Sequence, residues 1–433
     1  MLDEHYKVKI AIDKILKAAA KAAVKEEPST EDRVLELQRL VEVSEEASVI
    51  NIVNFLLSEA ISQGASDIHV EPEEKDVKVR YRIDGIMYDA NFFDKRLQSG
   101  LNTRIKILSN LDIAEIRRPQ DGQFQIRFEG RDIDLRVASF PTIYGENLVL
   151  RILDKEALGL SLESIGFTKD LLEKYYLQVK KSNGIVLVTG PTGSGKTTTL
   201  YATLQSINDN TKNIITIEDP VEYRLDNVRQ SQVNVRAGVT FANGLRAILR
   251  QDPDVIMVGE VRDLETAEIA IQAALTGHLV FSTLHTNDAP GALIRLEDMG
   301  IEPFLIASAI STIIGQRLIR KICPYCKHQV QIDPSKLNFA GIDAQFLKGK
   351  IFYEGKGCNY CHNSGYSGRT GIFEIMIIND EVKSMITAKT PAFEIKELIK
   401  KKFGFEDLKM IGIRKAIEGV TSLTEVLRAT QMN

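Results

Sequence analysis

The run Gly190-Pro191-Thr192-Gly193-Ser194-Gly195-Lys196-Thr197 spells G-x-x-x-x-G-K-T and continues into the helix-compatible Thr198-Thr199-Leu200-Tyr201. Its glycines let backbone N–H groups close around an anion at the start of a helix, where the peptide dipoles favour negative charge. From there Lys196 can reach β- and γ-phosphates, and the Thr197 hydroxyl can coordinate Mg²⁺. The run follows directly on an apolar strand, Ile185-Val186-Leu187-Val188. An ordinary glycine-rich turn is the alternative, and those flanks weigh against it.

Two further apolar strands end in acids. Val255-Ile256-Met257-Val258 runs into Gly259-Glu260, which places a carboxylate beside the loop to hold Mg²⁺ through water. Ile214-Ile215-Thr216-Ile217 runs into Glu218-Asp219-Pro220-Val221-Glu222, at the strand end where open α/β sheets bind ligands. One of these acids can orient an attacking water. A single acidic strand end is more often a helix cap or a solvated turn; three strand ends together, one carrying the phosphate loop and two carrying acids, read as a site.

The four cysteines form two C-x-x-C pairs, Cys323 with Cys326 and Cys358 with Cys361, with 31 residues between the pairs. Four soft ligands at that spacing can close a tetrahedral Zn²⁺ site. Two redox pairs are the alternative, but neither sits in a thioredoxin-like βαβ context. Four thiolates leave no open position for catalysis, so the metal would fold a hairpin-like insertion.

The elements that must hold these groups show in the hydrophobic periods. Val49, Ile52, Val53, Leu56, Leu57, Ala60 and Ile61 recur at helical spacing before a stop at Gly64. The period then falls to two: Val77, Val79, Tyr81 and Ile83 lead to a turn at Asp84-Gly85. After a helix over 95–111, Phe124, Ile126 and Phe128 lead to a second turn at Glu129-Gly130 and on to Ile133, Leu135 and Val137. Residues 49–155 therefore read as a small α+β domain. From about 166, short apolar strands alternate with helices and predict a parallel sheet flanked by helices. Residues 4–27, rich in alanine and lysine, and a segment after Pro28 predict a helical lead-in.

Composition is that of a globular protein, 44% hydrophobic and 26% charged, with a net charge of −4. That balance argues against a broad grip on a nucleic-acid backbone. No stretch carries the roughly 18 apolar residues of a membrane span, and the N-terminus lacks a signal-peptide apolar region, so a cytoplasmic location is expected.

Taken together, the phosphate loop, Ile217 to Tyr223, Leu249 to Asp263, and Thr276-Gly277-His278 with Ser282-Thr283-Leu284-His285 resemble the type II/IV secretion ATPase superfamily. There they are the Walker A, aspartate, Walker B and histidine boxes. The resemblance extends through Ala65 to Pro72, Pro119 to Gly122 and Gln316-Arg317-Leu318, and covers roughly 49–433.

It implies an α/β fold, a RecA-like P-loop domain preceded by a smaller, PAS-like α+β domain, with a tetracysteine zinc insertion. The expected layout is a lead-in over 1–48, the small domain over 49–155, a linker over 156–165 and the ATPase domain over 166–433, with the insertion at 320–370. It also implies a homo-hexamer that hydrolyses Mg²⁺-ATP to drive pseudopilus or pilus assembly. The ring would sit on the cytoplasmic side of the inner membrane, against platform and docking proteins. In this family Gly190 to Thr198 bind nucleotide, Lys196 and Thr197 contacting phosphate and metal. Glu260 is the Walker B acid, Glu222 the general base, and Glu218 and Asp219 supporting carboxylates. His278 and His285 are implied in γ-phosphate sensing, although a lone histidine on an apolar strand is ordinarily a hydrogen-bonded core residue.

Arg136 and Arg151 of the small domain would neutralise the transferring phosphoryl group; any single arginine is otherwise an exposed strand residue. Arg246, Arg250 and Arg262 are further candidates for contacts to nucleotide or to a neighbouring subunit. The tetracysteine insertion marks secretion and extension motors rather than retraction motors. One departure is the lead-in of about 48 residues, where these proteins commonly carry a longer N-terminal domain. The competing reading is a nucleic-acid-translocating RecA-like ATPase, which would show DNA-stimulated turnover.

Overall fold

The computed structural model describes residues 48–154, 161–331 and 349–430. The predicted lead-in helices, the first half of the linker and the centre of the cysteine insertion lie outside these residues. The chain forms two compact units. The first holds residues 48–81, Tyr88–Phe124 and Leu135–Ile152; the second holds the chain from Leu153 onward with Arg82–Met87 and Gln125–Asp134.

The first unit begins with helix α1 over 48–62, stopped by Gly64 at φ +68°. Strands β1 (Ala65–Pro72), β2 (Asp76–Ile83) and β3 (Ile86–Asp94) follow, then α2 (Gln98–Leu108), β4 (Gln120–Phe128), β5 (Arg131–Thr142) and β6 (Gly145–Asp154). They make one sheet in the order β3-β2-β1-β6-β5-β4. The turn pairs Asp84-Gly85 and Glu129-Gly130 both lie at positive φ, which a two-residue hairpin turn of the right twist requires. Alternate side chains such as Ile68, Val70, Val77, Val79, Leu135 and Leu150 are buried with Leu56 and Ile105 of the helices. Tyr81 donates its hydroxyl to Glu59 Oε2 at 2.9 Å, which ties β2 to α1.

Lys106 of α2 is buried against Glu146 at 2.7 Å and donates to the carbonyls of Asp112 and Glu115 at 3.2 and 2.8 Å. A cation shut away from water survives because an anion and two carbonyls surround it.

The second unit starts with α3 (Lys169–Val179), β7 (Gly184–Thr189), α4 (Lys196–Ile207), β8 (Ile214–Glu218) and β9 (Val228–Gln232). Next come α5 (Phe241–Ile248), β10 (Val255–Val258), α6 (Leu264–Leu275), β11 (Leu279–Leu284), α7 (Gly291–Asp298), α8 (Pro303–Ala309) and β12 (Ile310–Ile322). A small antiparallel pair, β13 (Lys327–Val330) and β14 (Phe352–Gly355), precedes β15 (Tyr366–Ile377). The chain ends in α9 (Asp380–Thr387), α10 (Ala392–Phe403), α11 (Leu408–Ile417) and α12 (Leu423–Thr430).

The seven-stranded sheet runs β15-β12-β7-β11-β10-β8-β9. All its pairings are parallel except β12 with β15 at the edge. Ile185 and Leu187 of β7 join one core with Leu245, Ala270 and Leu293. Val186 and Val188 join another with Leu172, Leu200 and Ile411. Neighbouring residues of one strand thus serve opposite cores, and the unit is a three-layer sandwich of a sheet between helices.

The continuous apolar runs predict β7, β8, β10 and β11; they do not reveal β12. That strand pairs with β7 only as far as Gly315 opposite Thr189, then overhangs the sheet, with β15 as its partner, to Ile322. A Cβ at Gly315 would lie 2.6 Å from Glu374 Oε1, so only glycine lets β15 approach there.

Removing one partner of a buried ion pair leaves an uncompensated charge, so Lys106→Ala is expected to destabilise the first unit by about 3–5 kcal/mol. Lys106→Met combined with Glu146→Leu should cost far less. Denaturant titration of both variants checks this, and equal midpoints for Lys106→Ala and the wild type would contradict it.

Candidate functional site

The phosphate loop connects β7 to α4 at the C-terminal edge of the sheet. Gly193 and Gly195 adopt φ +77° and +86°, conformations that disfavour other residues. A Cβ on Gly190 would strike Ser194 Oγ at 2.5 Å and the Gln316 carbonyl at 2.6 Å. Ser194 is buried, whereas Pro191, Thr192, Gly193 and Thr197 are exposed, and Thr197 and Thr198 open the first turn of α4. Lys196 donates to the carbonyls of Gly190 and Pro191 at 2.8 and 3.1 Å. Burial, helped by the charge of Arg317 and opposed by Glu260, lowers its ammonium to about 8. The lysine thus holds its charge at a cost that a bound anion would relieve.

Parallel register brings the neighbouring strand ends to the same edge. Glu260, two residues beyond β10, is 14% exposed, contacts Arg262, and lies 3.5 Å from His285 Nε2 at the end of β11. Arg262 also approaches Asp219 at 3.9 Å. Burial and the positive charges of Lys196 and Arg262 depress His285 against the pull of Glu260, which favours the neutral imidazole. Glu222 lies half-buried on the loop after β8.

Three expected site residues are placed otherwise. Glu218 is 3% exposed; it accepts from Tyr201, from Thr216 at 2.7 Å and from Gln230 at 3.1 Å. That carboxylate is committed to α4 and β9, not turned to the phosphate loop. Tyr201 also accepts from the Glu222 backbone N–H at 3.3 Å, so Glu218 and Tyr201 brace the segment that carries Glu222.

His278 precedes β11 at the opposite edge of the sheet, where its carbonyl accepts from Gly184 N–H at 3.2 Å and its Nδ1 donates to the Ala273 carbonyl at 2.8 Å. The six residues of β11 put about 20 Å between it and the loop of this chain. Arg246 is likewise engaged elsewhere, with Glu265 at 2.7 Å.

Arg136 and Arg151 belong to the first unit, on the face of its sheet opposite the buried side chains. Arg151 is 60% exposed and paired with Asp67 at 3.2 Å.

The sequence names Gln316 and Arg317 only within a run shared with the family, and assigns no role to either. Gln316, 2% exposed, donates to the Ser194 carbonyl at 2.7 Å and accepts from the Thr199 hydroxyl at 2.8 Å. Arg317 donates to the Asn287 carbonyl at 2.7 Å. Buried polar side chains in the middle of a strand were the available signal, since each must have a partner.

The four cysteines meet where β12 overhangs the sheet. Their sulfurs all lie within 4.8 Å of one another, with Cys323–Cys358 and Cys326–Cys361 at 3.8 Å and Cys358–Cys361 at 3.7 Å. Four thiolates about 2.3 Å from a tetrahedral Zn²⁺ would stand about 3.8 Å apart, so the spacing fits a metal ion. Backbone N–H groups of Cys358 and Gly365 point at Cys361 Sγ, both at 3.3 Å. Burial opposes the charge there, yet these donors draw the thiol down to about 6.

No helix among the described residues is long and apolar enough to cross a membrane. The family profile described as Type II/IV secretion system protein matches residues 42–428. Type II secretion system protein E of Pseudomonas aeruginosa is 48% identical over 92% of this chain and 79% of its own length. Type IV pilus assembly ATPase PilB of Myxococcus xanthus is 45% identical over 93% of this chain and 71% of its own. Among solved structures, the ATPase DotB of Legionella pneumophila shares the fold, with a TM-score of 0.64 at 21% identity over 87% of this chain and 94% of that one. The pilus retraction motor PilT with bound ADP aligns with a TM-score of 0.57 at 27% identity, covering 86% and 95%. With the phosphate loop and acidic strand ends assembled on one sheet edge, these likenesses lead to one conclusion: the chain belongs to the type II/IV secretion system protein family and is an ATP-hydrolysing member of it.

Proposed function

We propose that the chain works as a ring of six that turns ATP hydrolysis into the assembly of a pilus or a secretion pseudopilus. The observation that carries this reading is the phosphate loop, with Lys196 half-buried and Glu260, Arg262 and His285 gathered at the adjoining strand ends. The relatives named for type II secretion and type IV pilus assembly support the choice of task. So does the cysteine centre, the feature that the resemblance ties to extension rather than retraction.

In this reading the loop amides and Lys196 hold the β- and γ-phosphates. Thr197 and Glu260 supply the oxygen donors for Mg²⁺, which when bound would neutralise phosphate charge. Glu222 takes the proton of the attacking water, and the Tyr201–Glu218 pair steadies its backbone. His285 reads the γ-phosphate through its contact with Glu260. Arg136 and Arg151 are the first unit's donors to the transferring group, and delivering Arg151 requires it to leave Asp67. The cysteines hold a structural Zn²⁺, and the ring docks on partners at the cytoplasmic face of the inner membrane.

Bonds to charged groups contribute about 1.5–3 kcal/mol, so Lys196→Ala should weaken Mg²⁺-ATP binding by about 10- to 150-fold. Glu222→Gln should bind Mg²⁺-ATP normally and lose about 10²–10⁴ in turnover, as expected for removal of a general base. Equilibrium binding and phosphate release measured on both variants test the assignment, and wild-type behaviour of either removes that residue from its role. Between about pH 8 and 9 the unliganded protein should lose affinity for ATP as Lys196 gives up its proton; a flat affinity across that window would contradict this. Elemental analysis should find about one zinc per chain, falling to near zero in Cys326→Ser with Cys361→Ser. A metal-free wild type of unchanged melting temperature would end the structural-zinc reading.

A further inference from the structure

The phosphate loop has few ties of its own. Inside it, Ser194 N–H donates to the Pro191 carbonyl at 3.2 Å. The Lys196 bonds to Gly190 and Pro191 use the same ammonium that a phosphate would claim. With three glycines, the segment is also costly to order. A side chain from outside the loop holds it instead.

Gln316 comes from β12, the strand beside β7. Its amide N–H donates to the Ser194 carbonyl and its amide oxygen accepts from Thr199 in the first turn of α4. One buried side chain thus fixes both the loop crest and the helix start. Its own backbone carbonyl and the Leu318 side chain fill the space under Gly190 and Gly195.

The direction of the first bond matters most. In a planar trans peptide the C=O and the following N–H point in opposite directions. Holding the Ser194 carbonyl down on β12 therefore turns the Gly195 N–H away from β12, toward the hollow of the loop where an anion sits. A free peptide could flip and present its carbonyl to the phosphate.

From this geometry we propose that Gln316 is a positioning residue for nucleotide binding, acting through the orientation of the Ser194–Gly195 peptide. The inference rests on reading this loop as the nucleotide site. Gln316→Glu keeps size and the acceptor toward Thr199 but sets an oxygen against the Ser194 carbonyl. Thr199→Val removes only the second bond, and Thr199→Ser keeps it.

The test measures binding of a fluorescent ATP analogue with Mg²⁺, steady-state kinetics and melting temperature on the full chain. Gln316→Glu should weaken binding by about tenfold or more and Thr199→Val by about three- to tenfold, in line with loss of one hydrogen bond each. KM should rise in proportion, kcat should change less, and Thr199→Ser should match the wild type. The proposal fails if Gln316→Glu binds as the wild type does, whatever Thr199→Val does. It also fails if Thr199→Ser loses as much as Thr199→Val, or if affinity falls only in step with melting temperature. Lys196→Ala is the control: if it too binds normally, the site reading itself is wrong, whereas loss there with unchanged Gln316→Glu defeats this inference alone.

Discussion

Backbone N–H groups can ring an anion only where no Cβ stands between them and nothing else has claimed them. That constraint organises the second unit. It demands glycine at 190, 193 and 195, a helix starting at Lys196, and a support close enough beneath that a methyl group at Gly190 would collide with it. The support is β12, and its nearness explains why polar Gln316 is buried in a strand whose core-facing residues include Ile313, Ile314 and Ile319. The parallel sheet meets the rest of the demand by delivering Glu260 and His285 to the same edge as the loop.

Much of this was legible in the sequence where chemistry and local structure use neighbouring residues. The phosphate loop is contiguous, so its spacing alone identifies it. Helix α1 shows in its period, and the two hairpins show in Asp84-Gly85 and Glu129-Gly130, because positive φ admits few residue types. The cysteine spacing likewise foretold a cluster, and the sulfurs do converge.

What stayed hidden depended on register between distant segments. Strand β12 is buried on both faces, so it has no alternation to betray it, and its polar residues look misplaced until their partners are known. Glu218 and Glu222 sit four residues apart in one acidic cluster. Only the fold shows Glu218 committed to Tyr201 and Gln230. His278 and His285 read as a matched pair flanking a strand, yet a strand has two ends, and the pairing of Leu279 with Gly184 sends His278 to the far one.

The cysteine centre draws one half of its sulfurs from the end of β12 and the other from just before β15, the strand that completes that edge of the sheet. During synthesis Cys323 and Cys326 therefore leave the ribosome before their counterparts and the edge strand do. For that interval the nascent chain carries an open dithiol beside an unpaired edge, a combination exposed to oxidants and to strand addition by other chains. The arrival of Cys358 and Cys361 closes the thiol set just as β15 becomes available to cover the edge. One short stretch of translation thus ends both hazards together.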